Sequence, residues 1–320
     1  MRTSTVVQRV SWPRRSVVAL AAVVAVVSGC ASTGDGAGDP APTSGGAFPV
    51  TVPSGDGEVT LAERPDAIIS LSPSATETLW AVGAGEQVVA VDDRSDHPAG
   101  VPTTDLSGFS PNVEAILGRN PDLVIASDDL GGLVSGLAAA GVPTLLLPAA
   151  QTLDDAYEQV ERVGVATGHA DEGRDLAASM REQIDAVVAA TPRRDAPLRY
   201  FHELDDTLYT VTGDTFLGQV YGRFGLESIA DGTAGDQYPQ LSTEFVVAAD
   251  PDLVFLADGQ CCGVTPTTVA ARPGWAGMRA VTTGQVHVLD EDLASRWGPR
   301  VVDLVREIGA VVSAQPVAAR

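Results

Sequence analysis

Short apolar runs alternate with helix-forming segments from residue 64 onward, a pattern typical of an α/β fold with largely parallel sheets. In the first half of this region, buried strands are predicted over 67–71, 88–91, 123–126 and 144–147. A helix over 74–82 follows the first strand, with Ser74 as its N-cap and Glu77 three residues later in a capping box. A second helix over 133–140 is expected to end at Gly141.

The middle of the chain, 153–191, is rich in helix formers. Its apolar residues recur at helical spacing: Leu176, Met180, Ile184 and Val187. We expect Gly168 to divide it into two helices, the second running from about 171 to 190. A second α/β set follows, with strands predicted over 199–202, 208–211, 253–256 and 286–289 and helices over 215–224 and 299–313.

A short string occurs twice at the same spacing. Glu114 is followed seven residues later by Pro-Asp-Leu-Val at 121–124, and Glu244 is followed at the same interval by Pro-Asp-Leu-Val at 251–254. One string lies on each side of the long helical segment, which indicates two lobes built on one pattern. The alternative is a common helix-to-strand turn that is used twice.

The N-terminal residues have the features of a targeting segment. Arg9, Arg14 and Arg15 precede an apolar run at 17–27, which is too short for a bilayer span of about 20 residues and is typical of a signal peptide. The run ends in Val-Ser-Gly-Cys, which resembles a lipobox, so Cys30 is predicted to carry a lipid. The alternatives are an ordinary secretory signal with a chance cysteine, and twin-arginine rather than general export.

These features divide the chain into five segments. Residues 1–29 are the predicted signal peptide, and 30–57, made mostly of small and polar residues, is the predicted flexible tether. The N-terminal lobe is predicted over 58–168, the connecting helix over 169–192 and the C-terminal lobe over 193–320. A lipid on Cys30 would hold this body at the extracytoplasmic face of the membrane without a spanning segment.

Composition and motifs argue against several functions. The formal net charge is −22, and loss of residues 1–29 removes four arginines and no acid, so the mature chain carries −26. Such a surface repels nucleic acid and anionic lipid and attracts an arginine-rich protein, although solubility alone would also explain it. The sequence has no Walker A string, so energy for transport is expected from a partner, and no cofactor is expected. A chelate binder is favoured over a bare-metal binder, because the four histidines lack metal-ligand spacing: His97, His169, His202 and His287.

Five strings, in their order and spacing, resemble class III ABC solute-binding proteins, the group that handles ferric siderophores, haem and cobalamin. They are IISLSPSATETLWAVGAGEQVVAV, SDHP, NVEAILGRNPDLVIA, YPQLSTEFVVAADPDLVFLA and ASRWGPRVVDLV, and the resemblance covers about residues 62–313. It implies two Rossmann-like α/β lobes with central, mainly parallel sheets, joined by one long rigid helix, with the ligand in the cleft between them. It also implies an ABC permease dimer with its ATPase subunits as partner, a monomeric binding protein and no catalysis.

The resemblance places ligand contacts in the loop after the first strand. The residues Ser72, Pro73, Ser74 and Ala75 match that loop, where amides at a helix N-terminus receive a polar or anionic ligand edge. Plain helix capping is the alternative. His97 stands where cobalamin-binding relatives often carry Tyr.

Further contacts are implied later in the chain. Phe109 and Tyr238 match aromatic positions of the cleft, whereas Ser127 stands where cobalamin binders carry Trp. Arg296 and Trp297 match a late cleft loop, in which an arginine would pair with a carboxylate or catecholate. A cleft with few aromatic residues and an arginine favours an anionic ferric siderophore over cobalamin, and haem is a further alternative. Each of these residues is alternatively an ordinary surface or core residue.

The resemblance also implies a docking surface. In the family, glutamates at the positions of Glu114 and Glu244 form salt bridges with permease arginines. The alternative is that each carboxylate only stabilises the first turn of its helix through the helix dipole.

The string Cys261-Cys262-Gly263 predicts a disulfide between adjacent cysteines, because an exported protein meets an oxidising environment. Two reduced thiols in a loop, or a disulfide with a partner, are the alternatives.

Two other functions stay open beside transport. One is a secreted hydrolase that uses Ser72 or Ser110 with His97 or His202, although no nucleophile-elbow motif occurs. The other is a sensor or adhesin lipoprotein that keeps the fold without transport.

Overall fold

The structure, a computed structural model, describes residues 48–233 and 237–316. The predicted signal peptide, the predicted lipid site at Cys30 and the predicted tether as far as residue 47 lie outside the described residues.

Residues 50–61, several of which the composition assigns to the tether, form an antiparallel hairpin. Strand β1 (Val50–Ser54) pairs with strand β2 (Gly57–Leu61), and both Val52 and Leu61 are buried. The Gly55 amide donates to the carbonyl oxygen of Leu146 at 3.0 Å, so the hairpin packs against the N-terminal lobe. The folded body therefore begins before the predicted boundary at residue 57. One apolar side chain from each strand, Val52 and Leu61, is buried against the lobe, although the segment is otherwise mostly polar.

The N-terminal lobe contains a four-stranded parallel sheet in the order β4-β3-β5-β6. Its strands, each within one residue of the predicted run, are β3 (Ile68–Leu71), β4 (Val88–Val91), β5 (Leu123–Ala126) and β6 (Thr144–Leu146). Its helices are α1 (Pro73–Ala81), α2 (Val113–Leu117) and α3 (Leu133–Ala139). The continuous apolar runs are thus strands of a parallel sheet whose two faces are covered.

Helix α1 begins one residue earlier than predicted. Ser72, and not Ser74, is the N-cap, since the Ser72 Oγ accepts a hydrogen bond from the Ala75 amide at 3.5 Å. Pro73 takes the first helical position, where its fixed φ and missing N–H are tolerated. The predicted capping box is therefore wrong, and Glu77 instead binds arginines of the C-terminal lobe.

Two antiparallel helices lead from the first lobe to the second. Helix α4 (Leu153–Thr167) ends at Gly168, whose φ of 80° places it in the left-handed region, and helix α5 (Ala170–Ala190) follows. The division predicted at Gly168 is confirmed. The two helices approach closely, because a Cβ on Gly164 would lie 2.9 Å from the Gly173 Cα.

The C-terminal lobe repeats the plan with a parallel sheet in the order β10-β9-β7-β8. Its strands are β7 (Leu198–Glu203), β8 (Leu226–Ser228), β9 (Leu253–Leu256) and β10 (Val286–Val288). Its helices are α6 (Phe216–Gly222), α7 (Thr243–Ala249), α8 (Gly259–Cys262), α9 (Pro266–Ala270), α10 (Arg279–Thr282), α11 (Glu291–Ser295) and α12 (Val301–Ala314). The strand predicted over 208–211 does not form, because Leu208 has a φ of 68° and Tyr209 makes only an isolated bridge.

The two copies of the repeated string adopt the same turn. Asn120 and Asp250, the residues before the two prolines, both have positive φ values, of 52° and 46°. The carboxylate of Asp122 accepts the Ala67 amide at 3.0 Å, and that of Asp252 accepts the Arg199 amide at 2.9 Å. Each aspartate thereby ties its own strand to the start of the neighbouring parallel strand, so the string marks equivalent places in two lobes of one topology.

One apolar core runs through both lobes. Ile68 of the first sheet and Tyr200 and Leu253 of the second belong to the same cluster, together with Val163 of α4 and Ile184 of α5. Helix α4 packs on β1 and α1, while α5 packs on α12, so the helix pair contacts both lobes. In the part of the chain that the structure describes, no helix is both long enough and apolar enough to cross a bilayer.

Candidate functional site

A cleft lies between the lobes at the carboxyl ends of both parallel sheets. Its larger cavity has a volume of about 680 Å³, and a smaller one of about 240 Å³ adjoins it. The residues that line both cavities are Ala149, Glu291, Ser295, Arg296 and Trp297. Loops converge at the carboxyl ends of parallel strands, which is where open α/β sheets bind ligands.

Each lobe contributes residues that follow its strands. Ser72, Asp92 and Ser127 come directly after β3, β4 and β5 and line the larger cavity. Ala257 comes directly after β9 and lines the smaller cavity, and Glu291 follows β10 closely. The topology therefore gathers residues that are far apart in the sequence.

The loop predicted to receive the ligand is at the cleft. Ser72, Pro73 and Ser74 line the larger cavity, while Ala75 is buried behind them. The Ser72 hydroxyl is engaged in capping α1, and the Ser74 Oγ accepts the Trp297 amide at 3.1 Å. In this structure the loop therefore serves helix capping and lobe contact as well as cavity lining.

Three of the predicted aromatic residues also reach the cleft. Phe109, which is 79% exposed, lines the larger cavity, and Tyr238 lines the smaller one. Trp297 lines both, with its indole Nε1 donating to the Gln159 Oε1 at 3.0 Å. His97 is exposed and is not among the residues that line either cavity, so the structure does not bring it to the cleft.

Arg296 lies in the cleft wall, but its guanidinium is already paired within the protein. The residue is only 9% exposed. It donates to Glu77 at 2.9 Å, to Asp96 at 3.1 Å and to Asp292 at 2.5 Å, and also to the Arg94 carbonyl oxygen. The predicted pairing of Arg296 with a ligand carboxylate or catecholate would have to displace these bonds, because three carboxylates already balance its charge.

We call the group of Glu77, Asp96, Asp292, Arg296 and Arg300 the interlobe ion cluster. Glu77, from α1, is 4% exposed, and its Oε1 accepts hydrogen bonds from Arg296 and, at 2.6 Å, from Arg300. The hydrogen bond to Glu77 raises the pKa of Arg300, and burial raises the pKa of Asp292 against the opposing effect of Arg296. The cluster thus links α1 of one lobe to the end of α11 and the start of α12 in the other.

A glycine permits this contact between the lobes. Gly298 lies two residues after Arg296, and a Cβ there would come within 3.0 Å of the Ser74 carbonyl oxygen. The backbone after α11 can therefore approach α1 closely enough for the ion pairs to form.

Cys261 and Cys262 are joined by a disulfide in the exposed turn of α8. The amides of Gln260 and Cys261 both donate to the Glu291 Oε1, the second at 2.6 Å. Because Glu291 lines both cavities, this carboxylate connects the disulfide turn to the rim of the cleft.

Two buried acids lie beneath that turn. Glu203, at the end of β7, binds Arg272 through both oxygens at 2.6 Å, and Asp258 is fully buried beside it. Burial, and secondarily the charge of Glu203, raise the pKa of Asp258 to about 7. Asp258 therefore stays protonated in mildly acidic solution, which relieves repulsion between the two carboxylates.

The hydrolase alternative gains no geometric support. His202 is fully buried in the C-terminal lobe, where its Nδ1 lies 2.8 Å from the Tyr221 hydroxyl and burial lowers its pKa to about 4. Within the described ranges, no hydrogen bond joins Ser72 or Ser110 to His97 or His202.

Glu114 and Glu244 occupy equivalent places outside the cleft. Each is exposed and is the second residue of its helix, α2 or α7. The preceding N-caps are also equivalent, since Asn112 accepts the Ala115 amide at 3.0 Å and Ser242 accepts the Phe245 amide at 3.1 Å.

The acidic residues of the cleft were not predicted from the sequence. Asp92, Asp128, Glu291 and Asp292 all line the larger cavity. The available signal was their position, since Asp92 and Asp128 come one and two residues after apolar runs that are predicted to be parallel strands. An acid after a strand is otherwise indistinguishable from an ordinary solvated loop residue.

The cleft and its two lobes can be compared with known proteins. The sequence model of a family described as "Periplasmic binding protein" matches residues 68–293. The uncharacterized ABC transporter substrate-binding lipoprotein YvrC of Bacillus subtilis is 29% identical over 300 residues, which cover 91% of this chain and 94% of that protein. A protein of Halobacterium salinarum named "Cobalamin-binding protein" is 32% identical over 267 residues, covering 80% of this chain and 72% of that one.

Solved structures share the fold. The periplasmic heme-binding protein RhuT of Roseiflexus sp. RS-1, in its apo form, superposes with a TM-score of 0.69 at 25% identity. The superposition covers 78% of this chain and 98% of the heme-binding protein. The two-lobed architecture is therefore shared over nearly the whole length of that protein.

The interlobe ion cluster generates a prediction about stability. We expect Glu77→Gln to lower the free energy of unfolding by about 3 kcal/mol, because removing one partner of a buried ion pair leaves the remaining charges uncompensated. The measurement is urea unfolding at pH 7, followed by tryptophan fluorescence. The control is Asp303→Asn, which breaks the half-exposed pair with Arg306 and should cost less than about 1 kcal/mol. Equal losses in the two variants would contradict a stabilising role for the cluster.

Proposed function

The chain belongs to the periplasmic binding protein family, and on that basis we propose that it is the solute-binding lipoprotein of an ABC importer, which captures a metal chelate and delivers it to the permease. The observation that carries this proposal is the cleft at the carboxyl ends of two matched sheets, lined by residues of both lobes. The ABC transporter relative matches along 91% of the chain, which supports the importer assignment.

The chelate class is supported by the cleft's shape and by the relatives. Phe109, Tyr238 and Trp297 offer aromatic faces on which a flat or bulky chelate can pack. One relative is named for cobalamin and one solved structure for heme. The sequence-based preference for an anionic siderophore rested on the small number of cleft aromatics and on Arg296, and the protein itself balances the charge of Arg296. The proposed ligand is therefore the chelate class as a whole: cobalamin, haem or a ferric siderophore.

A fluorescence titration tests this function. Trp297 lines both cavities, whereas Trp275 is fully buried in the C-terminal core and Trp80 is outside the cavity lining. Titrating the full chain, held in detergent, with cyanocobalamin, haemin and a ferric hydroxamate should give saturable quenching with at least one of them at micromolar concentration. Trp297→Phe should lose most of that quenching, and the control Trp80→Phe should keep it.

Two results would contradict the proposal in different ways. If none of the three chelates binds, the chelate class is wrong. If a chelate binds and Trp297→Phe quenches like the unchanged chain, the ligand lies outside this cleft.

The lipid anchor is proposed on Cys30. The support is the short apolar run that ends in a lipobox-like string, and the relative of Bacillus subtilis that is named a lipoprotein. Cys30→Ala is expected to release the chain from the membrane fraction, measured by immunoblotting after cell fractionation. A variant that stays fully in the membrane fraction would rule out this anchor.

Docking on the permease is proposed through Glu114 and Glu244. A helix that precedes a parallel strand starts on the carboxyl side of the sheet, so both glutamates lie on the side of the molecule where the cleft is. Their equivalent, exposed positions in two lobes of one topology suit a partner that presents two matching basic sites. Such pairs mainly steer and orient a complex.

We expect Glu114→Ala with Glu244→Ala to abolish or strongly slow chelate uptake by cells, while ligand affinity in solution stays within about twofold, because neither residue lines the cleft. Each single variant should lose part of the uptake, and added salt should have a similar effect. The matched control is Glu63→Ala with Glu182→Ala, which removes the same charge from two exposed sites outside the repeat. Normal uptake by cells that carry Glu114→Ala with Glu244→Ala would contradict the docking proposal.

A further inference from the structure

Asp92 is a buried acid in the wall of the proposed ligand site. It comes directly after β4, lines the larger cavity and is only 1% exposed. Its Oδ1 has no hydrogen-bond partner within the described ranges. Burial raises the pKa of Asp92, while hydrogen bonds from Ser95 act in the opposite direction. Glu77 Oε2 and both Asp258 oxygens are likewise without a partner in the described residues, but of these three acids only Asp92 lines the larger cavity.

The surrounding backbone encloses Asp92 closely. Gly108 packs over the end of β3, where a Cβ would overlap the Leu71 carbonyl oxygen and lie 3.1 Å from the Asp92 Oδ2. The next residue, Phe109, lines the same cavity and is largely exposed. The loop therefore holds an acid and an aromatic face side by side in the cavity wall.

The charge of the cavity wall is unbalanced. Among the described residues that line the larger cavity, the carboxylates are Asp92, Asp128, Glu291 and Asp292, and the guanidiniums are Arg94 and Arg296. Arg296 is already bonded to three carboxylates, which leaves Arg94 as the cation of this wall without a side-chain partner in the described residues. An anionic chelate would therefore meet a surplus of like charge in a partly desolvated site, which disfavours its binding.

We propose that this cleft selects uncharged or cationic chelates over anionic ones, and that Asp92 is the specificity-determining residue, acting through the charge of its buried carboxylate in the cavity wall. The inference rests on the proposed function, because it places the chelate in this cleft. To the proposed function it adds the charge of the ligand and the residue that determines the preference for that charge.

The test compares four chelates on the full chain by tryptophan quenching. They are cyanocobalamin, whose edge carries amides; its monocarboxylic derivative, with one amide replaced by a carboxylate; the cationic ferrioxamine B; and the trianionic ferric enterobactin. We expect cyanocobalamin or ferrioxamine B to bind at least about tenfold more tightly than either the carboxylate derivative or the ferric enterobactin. Asp92→Asn should reduce this affinity ratio by about tenfold, because a neutral amide does not repel the anionic chelate.

The matched control is Asp93→Asn, which removes the same charge one residue away, at an exposed position that does not line the cavity. Asp93→Asn should leave unchanged the ratio of the affinities for the non-anionic and the anionic chelates. Asp92→Asn should unfold near the temperature of the unchanged chain, because the amide keeps the shape of the side chain and one acceptor oxygen for the Ser95 hydrogen bonds while it removes a buried charge. If that variant does not fold, Asp92→Ser serves as the second variant with the same expected reduction of the ratio.

The outcomes separate this inference from the proposed function. Tighter binding of the anionic chelates, or equal binding of all four, would overturn the charge selectivity while supporting chelate capture. The same ratio in Asp92→Asn and Asp93→Asn would overturn the role of Asp92. If none of the four chelates binds but haemin does, this inference is overturned and the proposed function stands. If haemin also fails to bind, both are overturned.

Discussion

The burial of the Glu77 carboxylate between two guanidiniums is the interaction on which the arrangement of the lobes depends. Apolar contacts between the lobes are non-directional, whereas hydrogen bonds from Arg296 and Arg300 to one oxygen of Glu77 require a defined position of α1 relative to α12. A buried carboxylate that lost these partners would be costly, so sliding of one lobe past the other is opposed. The close passage of Gly298 over Ser74 is the steric condition that allows the contact.

This interaction also determines the chemistry of the cleft. Arg296 lines both cavities, yet its donors go to Glu77, Asp96 and Asp292. The arginine that was predicted to bind an anionic ligand is therefore used to join the lobes, and the carboxylates around it leave the wall acidic. The structural role and the ligand preference of the cleft follow from the same set of ion pairs.

Repetition of one topology explains where the other functional surfaces lie. Both sheets place their carboxyl ends at the cleft, and α2 and α7 start on that side of their sheets. Glu114 and Glu244 thus occupy equivalent positions in the two lobes, and so do the turns at Asn120 and Asp250. The helix pair α4–α5 contacts both lobes through a shared apolar core, so the two halves form one body.

The secondary-structure elements and their order could be predicted from the sequence, because they depend on residues that are close together along the chain. Seven of the eight strands in the two parallel sheets were predicted within one residue at each end, and Gly168 marked the division between α4 and α5. Strand β8 was not predicted, and the strand predicted over 208–211 does not form. The repeated Pro-Asp-Leu-Val string correctly indicated two lobes of one plan. The hairpin at 50–61 was not predicted, because the segment is mostly polar and only two of its side chains are buried.

The roles of the cleft residues were decided only by the tertiary structure. Arg296 and Glu77 lie 219 residues apart, so no local pattern shows that they pair, and the sequence suggested an anion site and a capping box instead. His97 was predicted at the cleft and is not among its lining residues, while Asp92 was overlooked and is buried there. Composition, periodicity and capping act over a few residues and determined the elements and their order. Which charges remain unpaired depends on how those elements pack, and so the folded structure alone decided the character of the site.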